Sequence, residues 1–239
     1  MTPPTTRSGL TAVVRTLALA AVVVWAAAWL AYGTAHQRAL DEMQTEGTAQ
    51  IEFHTRDLVS AVERFTNLPD LLAADASLLA LLQAPHDPER LNAANRYLSF
   101  AQTRTGVSHA YLIDTQGLTR AASNWQGADS FVASNYGFRP YFQDAMTGKT
   151  GVFYGIGVTT GQPGAFIAAP IQVGKQVLGV VAVKIDLTAI EDSWIRSGTP
   201  LALADRYGVL FLSAQPAWRY RSLDALSGEA LTELQRTRQ

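Results

Sequence analysis

Seventeen consecutive uncharged residues, TLALAAVVVWAAAWLAY at 16–32, form the most marked hydrophobic pattern in the chain. A run of this length is typical of a membrane-spanning helix, and Arg15 can extend its guanidinium back to the headgroups. Basic residues precede the run and acidic residues follow it, which predicts a cytoplasmic amino end and an outside location for everything after Tyr32. The alternative is a cleaved signal peptide, favoured by the small residues Ala31 and Gly33, whereas the length of the run favours a retained anchor.

Helical periodicity continues beyond this run. Apolar residues at helical spacing predict a long helix over 36–67: Ile51, Leu58, Val62 and Phe65. This helix could pair with a second copy as a coiled coil, although two heptads are too few to establish one. Pro69 fits the first turn of a second helix, whose apolar run extends to Leu82, and a third helix is predicted over 88–104.

From residue 107 the hydrophobic period changes to that of strands. The segments on either side of the turn DTQG predict a β-hairpin, and a short helix is expected over 137–147, beginning near Pro140 and closed by Gly148. Three further strands are predicted, over 151–158, 165–173 and 177–187. Their short connections imply antiparallel neighbours, so the sequence predicts an α+β fold.

A strand, D-x-x-G turn and strand pattern occurs twice. Asp205 and Gly208 repeat the positions of Asp114 and Gly117, after a predicted helix over 188–196, which suggests two similar folds in tandem. The second copy is incomplete and ends in an amphipathic segment. The predicted organisation is an amino-terminal segment with the anchor (1–35), helical segments (36–105), a membrane-distal domain (106–196) and a membrane-proximal PAS-like domain (197–239).

Composition and motifs exclude several classes of site and partner. A net charge of −1 gives no broad basic field, so nucleic acid is not expected as a partner. The chain has no cysteine, which excludes disulfides, thiolate zinc sites and cysteine nucleophiles. The histidines lack metal-ligand spacing, and neither a G-x-S-x-G elbow nor a complete P-loop is present, so no metal ligands or catalytic residues are predicted. An unrecognised membrane-anchored envelope hydrolase stays open as an alternative.

Two cations stand out in a chain of which only 16% is charged. Arg139 lies in NYGFRPYF, and Lys184 lies on the face of the strand VLGVVAVKIDL that turns ionic at its end. Taken singly, Arg139 could be a surface cation stacked on a ring, and Lys184 could be neutralised by Asp186 at a solvated edge. Taken together with nearby phenols and hydroxyls, the two cations suit a small dianion.

The strand GVFYGIGVTTGQPG lies between these cations in the chain. Gly151, Gly155 and Gly157 share one face, where the missing side chains leave room for a close approach, and Tyr154 lies on the other face. Thr159 and Thr160 follow at the strand end, where hydroxyls can meet a ligand. Parity alone leaves open which face looks into a pocket.

Four segments carry a family resemblance: YLIDTQGLTRAASNW, SFVASNYGFRPYF, GVFYGIGVTTGQPG and GVVAVKIDL. In order and spacing they resemble the extracytoplasmic sensor domain of bacterial C4-dicarboxylate transport sensor histidine kinases, of the double Cache (tandem PAS-like) class. The resemblance covers most of 36–239. It implies tandem PAS/Cache-like domains with antiparallel sheets, the distal one binding succinate, fumarate or malate. An amine or amino acid, with Asp186 meeting the amine, is the alternative ligand.

The resemblance also implies a set of binding residues. Arg139 and Lys184 match the two carboxylate-binding cations, and Tyr136 matches the tyrosine of an NY pair. The full set implied is Ser134, Asn135, Tyr136, Arg139, Tyr141, Tyr154, Thr159, Thr160 and Lys184.

Family members continue into a second span, a dimerisation helix with a phospho-accepting histidine, and an ATP-binding kinase domain, none of which is recognised here. The chain is therefore expected to be the sensory part of such a kinase, without a cofactor of its own, whereas the parent kinase would use ATP. A bacterial inner-membrane location with a periplasmic sensor domain, a homodimer and a response-regulator partner are the remaining expectations.

Overall fold

The computed structural model describes residues 7–238, which divide into two compact units, one up to Arg56 and one from Asp57. Helix α1 covers Arg7–Glu63, so its last turns belong to the second unit. Residues 1–6 of the predicted cytoplasmic end, Arg15 and many side chains of the predicted span at 16–32 lie outside the described part.

No single helix among the described residues meets the length and hydropathy requirements of a membrane span. One bent pair of helical segments, Ala27–Ala73 with Ala76–Gln83, meets them by length and composition only. The membrane anchor therefore stays a prediction.

The long helix predicted over 36–67 is present as the later part of α1 and ends four residues earlier than expected, at Glu63. Leu58, Val62 and Phe65 are buried in the core of the second unit, whereas Ile51 is exposed. The carboxyl-terminal half of the apolar stripe thus packs within its own chain.

Three short helices follow α1: α2 (Leu68–Ala73), α3 (Ala76–Gln83) and α4 (Pro88–Thr105). The sequence predicted one helix where α2 and α3 lie. The break occurs because Asp75 caps α3, its carboxylate accepting a hydrogen bond from the Ser77 backbone N–H at 2.8 Å. Helix α4 agrees closely with its predicted bounds and ends at Gly106, whose φ of 77° suits glycine.

A five-stranded antiparallel sheet forms the centre of the second unit, in the order β2-β1-β5-β4-β3. Its strands are β1 (His109–Asp114), β2 (Thr119–Ala122), β3 (Gly151–Ile156), β4 (Pro163–Val173) and β5 (Gln176–Asp186). Helix α5 (Pro140–Met146) lies between β2 and β3 in the chain. The predicted strands, their antiparallel pairing and the short helix are all confirmed.

The two faces of this sheet support different cores. Val181 and Val183 of β5 face a core shared with α1 to α4, whereas Val180 and Ala182 face a second, aromatic core that includes α5. This division follows from the period of two along a strand that is buried on both faces. Lys184 has the parity of Val180 and Ala182, so its side chain belongs to the aromatic face.

A second small sheet follows helix α6 (Thr188–Ser197). It pairs β6 (Ala202–Ala204) with β7 (Leu210–Ser213), and helix α7 covers Gly228–Thr237. In both hairpins the aspartate carboxylate of D-x-x-G accepts the backbone N–H groups two and four residues ahead, and the glycine has a φ near 80°. The repeat of the turn at Asp114 and Asp205 is thus confirmed.

Helix α5 packs directly on β3, and Gly151 makes that approach possible. A Cβ added at Gly151 would lie 2.2 Å from the backbone oxygen of Tyr141. We expect Gly151→Ala to lower the free energy of unfolding by about 1–3 kcal/mol, because backbone must move to relieve the overlap. Urea denaturation measures this loss.

The matched control is Gly228→Ala in α7, where an added Cβ meets nothing within 4 Å. We expect Gly228→Ala to leave stability unchanged or slightly higher, since alanine favours a helix. Equal stabilities for wild type and Gly151→Ala would contradict the close packing of α5 on β3.

Candidate ligand-binding site

Arg139 is directed into the protein at the start of α5. Pro140 occupies the first turn of the helix, and the residue before a proline favours the extended conformation that Arg139 adopts. Its side chain is 1% exposed. The guanidinium donates to the backbone oxygens of Ile156, at 2.7 Å, and Thr237, at 3.2 Å. The interpretation of Arg139 as a surface cation is therefore wrong.

The surroundings of Arg139 are aromatic. Its guanidinium carbon lies 5.1 Å from the ring centre of Phe153 and 5.4 Å from that of Phe138. Burial lowers the pKa of Arg139, and the neighbouring phenols of Tyr141, Tyr111 and Tyr136 oppose that shift. No carboxylate within residues 7–238 forms a salt bridge with this arginine.

Lys184 is the second buried cation. It is 1% exposed, and its Nζ donates to the hydroxyl of Thr160 at 2.6 Å. Burial lowers the pKa of Lys184, with a smaller opposing effect from Asp186. The interpretation that Lys184 and Asp186 neutralise each other at a solvated edge is wrong, because Lys184 is buried and the exposed Asp186 carboxylate accepts from the Thr188 backbone N–H at the start of α6.

Both cations reach the same stretch of backbone at the end of β3. Arg139 donates to the oxygen of Ile156, and the Nζ of Lys184 lies 3.3 Å from the position that a Cβ on Gly157 would occupy. The lysine side chain also passes over Gly164 of β4, where an added Cβ would lie 2.9 Å from its Cε. The glycines of the β3–β4 hairpin thus leave room for the lysine side chain beside the backbone segment that Arg139 also contacts.

Hydroxyls and phenols surround these cations. The hydroxyl of Tyr136 lies 2.6 Å from that of Thr159 and also hydrogen-bonds Ser134. On the sheet side, the hydroxyls of Tyr141 and Tyr111 lie 2.8 Å apart. Burial raises the pKa of each of these tyrosines, so all three are neutral and able to donate a hydrogen bond.

The structure brings most of the predicted set into one cluster, on the glycine face of β3. These residues are Ser134, Tyr136, Arg139, Tyr141, Thr159, Thr160 and Lys184. Asn135 is exposed instead, and its amide group holds a turn by bonding the Gln116 oxygen and the Gly137 N–H. Tyr111 was missed, although its pairing with Ala182 places it on the face of Lys184.

Tyr154 is separated from the cluster because its parity on β3 directs it to the opposite face, against the core shared with α1 to α4. There it lines an apolar cavity of about 390 Å³ together with residues such as Leu58, Leu203 and Phe211. A mostly apolar lining, whose two charged residues are Asp205 and Arg206, does not suit a dianion, so the cation cluster, and not this cavity, is the candidate site.

The chemistry of the cluster is that of anion binding. Within the described residues, no group of three or more histidine, aspartate or glutamate side chains is gathered as metal ligands. Two buried cations, with hydroxyls nearby and no salt bridge to a carboxylate of the described residues, would suit a small molecule that carries two negative charges.

No family model matches the chain, but curated proteins and a solved structure are similar to it. The chain is 33% identical over 220 residues to the C4-dicarboxylate transport sensor protein DctB of Pseudomonas aeruginosa, covering 92% of this chain and 36% of that protein. It is 30% identical over 222 residues to the protein of the same name from Rhizobium meliloti, with coverages of 93% and 36%.

Among solved structures, the sensor domain of the V. cholerae histidine kinase DctB superposes with a TM-score of 0.75 at 31% identity, covering 82% of this chain and 76% of that one. The chain belongs to the DctB sensor-domain family. It spans about a third of the length of the curated DctB relatives. The ligand-binding domain of the P. aeruginosa chemoreceptor PctC, with a TM-score of 0.54 at 19% identity, shares the fold alone.

A histidine lies beside the cation cluster. His109 pairs with Lys184 across β1 and β5, its ring is stacked on Phe131 at 4.5 Å, and its Nδ1 lies 2.7 Å from the Ser108 hydroxyl. Burial, followed by the charge of Lys184, lowers the pKa of His109, with Asp129 and Asp186 opposing.

We expect the protein to lose stability as the pH falls below about 6.5, because the unfolded chain binds a proton at this histidine more readily than the folded chain does. His109→Gln should remove that part of the pH dependence. The measurement is the free energy of unfolding at several pH values down to about 5. His86→Gln, at an exposed position, is the control, and an unchanged pH slope in His109→Gln would contradict the assignment.

Proposed function

We propose that this chain is the extracytoplasmic sensor region of a histidine kinase and that it binds a C4-dicarboxylate between Arg139 and Lys184. The observation that carries this proposal is the pair of buried cations, neither salt-bridged within the described residues, that reach the same backbone segment. The family supports the ligand class, since the curated relatives are named C4-dicarboxylate transport sensors.

In this arrangement each cation takes one carboxylate. The guanidinium of Arg139 uses part of its donor set on the oxygens of Ile156 and Thr237, which leaves further N–H groups for a planar carboxylate. Lys184 supplies a compact charge for the second carboxylate, and the hydroxyls of Thr160 and Tyr136 can complete its hydrogen bonds. Each bond to a charged group contributes roughly 1.5–3 kcal/mol, enough together for micromolar binding.

Signalling would use the sheet that separates the site from α1. Lys184 and Ile185 are neighbours on β5, yet Ile185 faces the core in which Leu58 and Val62 of α1 are buried. A ligand that moves β5 or β3 therefore acts on the packing of α1. Such differential packing is what shifts a two-state equilibrium toward the signalling state.

The proposed location, oligomeric state and signalling partner are those of the family. We propose an inner-membrane protein with a periplasmic sensor domain, which acts as a homodimer. The parent kinase would use ATP to phosphorylate a response regulator. We assign the kinase activity to a longer protein, because the chain covers 36% of each of the two curated relatives.

The direct test is calorimetric titration of the full 239-residue chain with succinate. Wild type should bind, Arg139→Ala should bind at least about 10-fold more weakly, and Lys184→Glu should show no binding, because repulsion replaces attraction. The matched control is Lys175→Glu, a charge reversal at the exposed turn between β4 and β5, the strand that carries Lys184. This variant should bind succinate as wild type does.

Circular dichroism of each variant separates lost binding from lost folding. γ-Aminobutyrate and L-serine, titrated in parallel, test the amino-acid alternative and should give no heat. A folded wild-type chain that binds neither succinate, fumarate nor malate would contradict the proposed function, as would wild-type affinity in both site variants.

A further inference from the structure

The last turn of α7 lies against Arg139, although the two are almost a hundred residues apart in the chain. The backbone oxygen of Thr237 accepts a hydrogen bond from the guanidinium at 3.2 Å. Thr237 is 1% exposed, so this contact is made in the interior. Helix α7 belongs to the second repeat, after β6 and β7, whereas Arg139 belongs to the first.

This contact satisfies both partners. The final carbonyls of a helix lack partners within the helix and carry its partial negative charge. At the end of α7 the Arg238 N–H bonds the oxygens of Leu234 and Gln235, while Arg139 bonds that of Thr237. Arg139, which forms no salt bridge with a carboxylate of residues 7–238, thus gains an electrostatic partner in the helix end.

Two side chains of the same turn hold α7 to the segment around Arg139. Arg236 donates to the Oε1 of Gln143 in α5 at 3.1 Å. The guanidinium carbon of Arg238 lies 4.4 Å from the ring centre of Phe138, next to Arg139 in the chain. Three consecutive residues, the last two of α7 and its capping residue Arg238, therefore contact the short stretch that presents Arg139.

We propose that the last turn of α7 is a positioning element of the site: it fixes the plane of the Arg139 guanidinium, so that ligand binding and the docking of α7 strengthen each other. This inference rests on the proposed function. The oxygens of Ile156 and Thr237 hold the guanidinium at two of its nitrogens, which orients the N–H groups that remain for a carboxylate. By reciprocity, a bound carboxylate that orders Arg139 stabilises α7 in its docked position. Ligand binding thereby changes how firmly a helix of the second repeat is docked.

The binding test uses the double variant Arg236→Ala/Arg238→Ala in the full chain. Both side chains are exposed, and the contacts they make are with Gln143 of α5 and the ring of Phe138, so the fold should remain. We expect succinate to bind about five-fold or more weakly, because α7 no longer holds Arg139. The lysine pair Arg236→Lys/Arg238→Lys keeps both charges and should restore binding. Arg221→Ala, an exposed arginine of the same repeat, is the matched control.

Hydrogen exchange of the α7 amides supplies a readout that general destabilisation would not reproduce. Succinate should slow exchange in α7 of wild type but not in the alanine double variant. Without ligand, Arg139→Gln should speed exchange in α7 and leave α4, on the other face of the sheet, unchanged.

Wild-type affinity in the alanine double variant would overturn the inference, as would α7 exchange rates that are indifferent to succinate. If wild type binds no dicarboxylate, the proposed function fails, and Arg139→Gln then decides the α7 contact by itself. Faster exchange in α7 would support the positioning of Arg139 by α7, and unchanged exchange would overturn it.

Discussion

Two positive charges are buried without a salt bridge to any carboxylate of the described residues, and the candidate site depends on this constraint. Arg139 and Lys184 are each 1% exposed, and the groups in hydrogen-bond contact with them are backbone oxygens and a hydroxyl. Such partners offset only part of the desolvation cost, which is why burial lowers the pKa of both residues. A dianionic ligand would supply the missing charge and gain affinity from the same imbalance.

Local features of the fold bring both charges to the end of β3. Pro140 sets the extended backbone of Arg139 and begins α5, so that the arginine enters the protein at a defined point. The parity of β5 directs Lys184 to the same side of the sheet, and the glycines of the β3–β4 hairpin leave room for its side chain. The opposite face packs on α1, so the sheet connects the site with the helix that precedes it.

Local patterns in the sequence account for the strands, the short helix and the burial of Lys184, because strand parity is a property of neighbouring residues. Tyr154 follows the same rule. Its position on β3 places it on the face opposite the glycines, although the family resemblance grouped it with the site. The break between α2 and α3 depends on a single capping residue, Asp75. The apolar run on both sides of it predicts one continuous helix instead. The contact between Arg139 and Thr237 could not be predicted, since it joins residues far apart in the chain and uses a backbone oxygen without a side-chain signature.

The most direct test of this account is a crystal structure of the chain with succinate bound. The account predicts one carboxylate on the guanidinium of Arg139 and the other on the Nζ of Lys184, with α7 still docked through the Thr237 oxygen. A succinate bound away from this pair, or one that contacts only one of the two cations, would contradict it.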